Sequence, residues 1–113
     1  MANHFGSPGV GTLNVTEVAA GFTAGSVLFA NGAGAATEDA NLNYNATTDV
    51  LALGNTLALT PVAFASLPAA PAEGMIASVN NSNTATWGAT IAGGGANKVL
   101  AYYNGTNWTV AGK

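Results

Sequence analysis

The sequence has no cysteine, one histidine, two basic residues and five acidic ones among 113. Without cysteine it can build neither a disulfide framework nor a thiolate zinc site, and it offers no thiol nucleophile. Its one histidine, His4, lies beside a glycine-rich stretch, so a Ser/His/acid triad is not expected. The cations Lys98 and Lys113 form no basic cluster, which excludes the electrostatic footprint of a nucleic-acid-binding protein. The acids Glu17, Glu38, Asp39, Asp49 and Glu73 are scattered. A glycoside hydrolase needs two carboxyl groups facing one cleft, and nothing in this spacing suggests it.

Long apolar runs are missing as well. Gly, Asn and Thr interrupt every stretch well short of the roughly 20 residues that cross a bilayer, so no membrane insertion is expected. The opening Met1-Ala2-Asn3-His4-Phe5-Gly6 shows no basic segment followed by an apolar one, so no secretory signal is read there and a soluble product is expected.

What the chain does hold is small residues: Ala, Gly, Asn and Thr make up 65 of the 113 positions. Few Leu, Ile, Phe or Trp remain to bury, and a monomer so composed would be marginal. Disorder does not fit, because nine aromatics and a mean hydropathy of +0.30 oppose it. Small domains escape marginality through disulfides, metals or association, and the first two are excluded. Self-association is the remaining route.

Turn formers and short β-type runs alternate along the chain, which predicts an all-β fold of short strands and hairpins. Residues 1–24, with Pro8, Gly6, Gly9, Gly11 and Gly21, read as an extended N-terminal arm with a brief alternation at 12–18. Residues 25–60 read as a β module with strands at Ser26–Phe29, Leu42–Tyr44, Val50–Leu53 and Thr56–Thr60. Asn31-Gly32, Asn45–Asp49 and Gly54-Asn55 supply its turns. Residues 61–72 hold Pro61, Pro68 and Pro71 among alanines and read as a linker, with a short helical turn near Phe64-Ala65.

Residues 73–113 form the C-terminal β module, with strands at Met75–Val79, Thr84–Trp87, Val99–Tyr103 and Asn107–Val110. Asn104-Gly105 between aromatic strands favours a tight hairpin that sets Trp108 across from Tyr102 or Tyr103. Gly93-Gly94-Gly95 reads as the most flexible loop, since it lacks the Lys-Ser/Thr of a phosphate loop. Glu38 and Asp39 with Asn41, Asn43 and Asn45 could offer oxygens to calcium, but the loop pattern with its bidentate Glu is absent and turn formation is the expectation. No catalytic residue, cofactor or metal site is expected.

Two stretches resemble domains of bacteriophage and prophage tail or head fibres. One runs from Gly25-Ser26-Val27-Leu28-Phe29 through Glu38-Asp39, Leu42-Asn43-Tyr44-Asn45 and Leu51-Ala52-Leu53-Gly54-Asn55. The other joins Leu67-Pro68-Ala69-Ala70-Pro71-Ala72-Glu73-Gly74-Met75, Ala85-Thr86-Trp87-Gly88, Gly93–Asn97 and Tyr103–Trp108. Asn45 stands where such fibres often carry an acid, and the chain is short beside many of them. The resemblance implies a virion structural protein, not an enzyme: a short head fibre, tail fibre or decoration subunit that intertwines as a homotrimer.

On that reading the arm docks on another virion protein of the capsid, portal/neck or tail, with His4 and Phe5 as the contact residues; a frayed terminus is the alternative. Trp87, Tyr102, Tyr103 and Trp108 are read as core members, the alternative being contact of Trp87, Tyr103 and Trp108 with a host surface glycan at a receptor-binding tip.

Overall fold

Asparagine and glycine turns set the architecture of this chain in its computed structural model, which describes residues 21–113. The arm expected over 1–24, with His4 and Phe5, therefore lies almost wholly outside the described residues. The chain separates into two compact units between Leu57 and Ala58.

In the first unit, strands β1 (Phe29–Ala30) and β2 (Ala36–Thr37) pair antiparallel around a turn organised by Asn31. The Asn31 Oδ1 accepts the N–H groups of Ala33 and Ala35 at 2.9 and 3.0 Å. Strands β3 (Leu42–Asn45) and β4 (Val50–Leu53) form a second antiparallel hairpin, with Leu42 opposite Leu53 and Tyr44 opposite Leu51. Here Asn45 Oδ1 accepts the amides of Thr47 and Thr48, the short-range bonding that suits Asn to turns. Asp49 closes the turn in the left-handed region (φ 56°), which Asp tolerates better than most residues, and its Oδ1 accepts the Tyr44 hydroxyl at 2.7 Å. The outer edge of β3 is met by Gly25 and Ser26: the Tyr44 N–H donates to the Gly25 carbonyl at 2.7 Å. Gly25 is needed there, since its φ is +86° and a Cβ would stand 2.9 Å from the Tyr44 carbonyl oxygen.

The second unit is built on a three-stranded antiparallel sheet in the order β5 (Ile76–Ser82), β6 (Asn97–Tyr103), β7 (Trp108–Gly112). Pairing of Ala77 with Ala101, Val79 with Val99, Ala101 with Val110 and Tyr103 with Trp108 puts these residues on one face. Val79, Val99, Ala101, Trp108 and Val110 are buried there together with Ile91, and Phe64, Leu67, Ala77, Ala85 and Tyr103 pack around them. Ser82, also fully buried, is satisfied because its hydroxyl donates to the Thr84 carbonyl at 2.6 Å.

Both outer edges of this sheet are covered. Val62 runs beside β5, giving its N–H to Ser78 and taking one from Asn80, both at 2.9 Å. Along β7, Gly88 and Ile91 donate to the Val110 and Trp108 carbonyls while Val110 donates to Ala89.

The described residues are thus all-β, with three small antiparallel sheets and one short 3-10 turn at Phe64–Ser66. That turn lies where the sequence places it. The stretch read as a linker, 61–72, belongs to the second unit: Val62 pairs with β5, and Phe64 and Leu67 cover the core. The prolines permit this because Val62 alone supplies both edge hydrogen bonds, and Pro61 has no donor to lose. Two expected strands are not formed, and a third, Ser26–Phe29, reduces to an isolated bridge at Ser26 and the first residue of β1. Residues 56–60 straddle the unit boundary and enter no ladder, and 84–86 run irregularly into a turn at Trp87-Gly88 closed by the Ala89 N–H on the Thr86 carbonyl. Alternation makes a strand only where a neighbour offers an edge.

Candidate interaction surfaces

No residue from 21 to 57 is buried, whereas seven residues of the second unit are. In the first unit Phe29, Tyr44, Val50, Leu51, Leu53 and Leu57 are all exposed, with Leu51 and Leu57 each at 62%. A two-stranded hairpin is marginal in water even with a covered face, so these hairpins need a further surface to pack against.

The first unit also holds a concavity of about 570 Å³ lined by Thr23, Gly25, Ser26, Glu38, Asn43 and Tyr44. Glu38 is committed within it: its carboxylate accepts the Thr23 N–H at 2.8 Å and the Thr23 hydroxyl at 3.0 Å. The Ser26 hydroxyl and the Thr23 amide together hold the Glu38 carboxyl below its ordinary pKa. A depressed folded-state pKa contributes stability above the unfolded pKa, and that contribution is lost as pH falls through the folded value. Acidification below the ordinary glutamate range is therefore expected to release the clasp between Thr23 and Glu38. NMR should show the Thr23 amide shift titrating at that low pH in the native chain and not in Glu38→Gln. Titration at the ordinary glutamate pKa would contradict the clasp.

Asp39 accepts the Asn41 amide at 2.8 Å and Asn43 Nδ2 donates to the Ala40 carbonyl, so the Glu38–Asn45 cluster closes turns as its sequence suggested. Among the described residues no three His, Cys, Asp or Glu side chains gather as metal ligands would.

In the second unit, Tyr103 and Trp108 face each other across the β6–β7 hairpin in an edge-to-face pair, centroids 5.4 Å apart. Asn104 Oδ1 fastens the hairpin tip by accepting the Thr106 and Asn107 amides, and Gly105 carries the positive φ (+93°). Glycine takes the first of the two tip positions, Gly105 and Thr106, because Asn104 and Asn107 pair with each other. Phe64, Leu67, Pro68, Pro71, Tyr103 and Trp108 line an open groove of about 410 Å³. Trp108 is only 7% exposed and serves the core, while Trp87 projects at 62% from a separate turn and is not among the groove residues. Of the three aromatics read from sequence as alternative glycan contacts, the fold brings together two. The sequence reading missed Ile91, a lone apolar residue among Thr, Ala and Gly that has no period to betray it.

No family model, curated protein or solved structure matches the chain.

Proposed function

We propose that the chain is a structural subunit of a phage-type virion, a short trimeric fibre or decoration subunit held to the capsid, portal/neck or tail through residues 1–24. The virion assignment rests on the resemblance of residues 25–110 to fibre modules. Self-association is supported by one observation above the others: the described residues of the first unit, 21–57, include six exposed large apolar side chains and no buried one. Three copies around an axis cover such faces without an external partner and leave no subunit unmatched. The mechanism is assembly and binding rather than catalysis, with His4 and Phe5 as the anchoring contacts.

The solution mass of the purified chain by light scattering tests this, the expected value being three times 11.1 kDa. A folded monomer would remove the trimer. Antibody labelling of virions then reports the site of attachment, and unlabelled particles would remove the virion assignment.

A second reading, recognition of a host glycan, draws on Trp87, whose indole is open to solvent as sugar-stacking side chains are. It predicts that Trp87→Ala abolishes glycan-array binding with the mass unchanged.

A further inference from the structure

Cross-strand register in the β3–β4 hairpin places Leu42 opposite Leu53 and Tyr44 opposite Leu51. Because side chains alternate along a strand, these four share one face, and Asn43, Asn45, Val50 and Ala52 share the other. The first face is open: Tyr44 is 42% exposed, Leu51 62% and Leu53 38%, with Leu42 half-buried. It presents on the order of 300 Å² of apolar surface, comparable to the largest patch of a typical soluble monomer, which is often functional.

Three features identify the occupant as another copy of the chain. None of the described residues of this unit, 21–57, is buried, so a cover is needed in every copy of the chain, the condition a homo-oligomer meets. The four side chains of the face carry no charge, so identical faces meet without like charges set directly against each other. With Phe29 and Leu57, apart from Val50 on the opposite face, the exposed apolar area of the unit reaches on the order of 500 Å², against the roughly 800 Å² per partner of a standard interface.

We propose that the Leu42/Tyr44/Leu51/Leu53 face of the hairpin packs against the same face of neighbouring copies and forms the apolar centre of the homotrimer. The assignment rests on the self-association reading above and names its surface.

The test uses the full chain at constant concentration. Leu51→Asn combined with Leu53→Asn is expected to weaken assembly at least 100-fold and lower the light-scattering mass from three chains to one. Val50→Asn, on the opposite face of the same strand, leaves the mass at three. Since the chain has no cysteine, Leu51→Cys creates a single thiol, which should give a disulfide-linked dimer on oxidation, whereas Val50→Cys should not. A wild-type trimer whose double variant stays trimeric, and whose Leu51→Cys form does not cross-link, overturns this face while leaving self-association standing. Dissociation by Val50→Asn as well would also overturn it, showing general sensitivity of the hairpin. A monomeric wild type removes both proposals.

Discussion

Trp108→Ala is expected to cost the second unit about 3–5 kcal/mol, the range for deleting a large aromatic from a packed core. Trp108 is 7% exposed, contacts Tyr103 edge to face and shares its cluster with Val79, Ile91, Val99, Ala101 and Val110. A unit spanning Ala58–Lys113 has a total stability of only roughly 3–8 kcal/mol at the usual value per residue, so this one change consumes most of it. Circular dichroism on heating should lose its cooperative transition near room temperature, and the amides of Val79 and Val99 should lose protection from exchange. Trp108→Phe keeps a ring edge against Tyr103 and should cost less. A loss below about 1 kcal/mol for the alanine variant would show that the cluster holds without its largest member.

Gly95→Ala carries the second large effect. A Cβ there would lie 2.6 Å from the Asn83 Cα and within contact of the Ser82 carbonyl oxygen, both backbone atoms that no side-chain rotation can clear. The same carbonyl accepts the Asn97 Nδ2 at 2.9 Å, and the Gly95 N–H donates to the Asn81 carbonyl at 3.0 Å, so displacement breaks two bonds as well. The expected cost is about 3 kcal/mol or more, at or above the upper end for overpacking. Gly94→Ala is the informative contrast: it has a positive φ of 89° and nothing within 4 Å, so only backbone strain of about 1–2 kcal/mol opposes it. Melting the two variants side by side separates the causes, and equal losses would mean that close approach is not what the loop requires.

The three glycines also show what a sequence can and cannot convey. Their place in a loop follows from composition, but why Gly95 must be glycine depends on Ser82 and Asn83, which reach it only through the β5–β6 pairing. By contrast Val50–Leu53, bounded by Asn45–Asp49 on one side and Gly54 on the other, carries its pairing instructions locally and forms the strand read from it. The Tyr103–Trp108 contact is legible for the same reason, because a four-residue connection leaves little choice of register. Thr56–Thr60 alternates as cleanly as any strand and forms none, since the boundary between the units falls between Leu57 and Ala58. Proline content placed a linker at 61–72, yet Val62, Phe64 and Leu67 are needed by the second unit for edge and core. For the surfaces, alternation in β3 and β4 was readable, whereas the exposure of Leu51 and Leu53 required the fold.

The covered edges of the second sheet bear on colloidal behaviour. Most β proteins keep their outer strands apart in solution with lysine or other charge, but only 6% of this chain is charged. Here backbone takes over part of the task of charge: Val62 blocks the middle of one margin and residues 88–91 line the other. Shelf life should therefore follow the fraying of those two flanks rather than global melting, and should respond weakly to ionic strength.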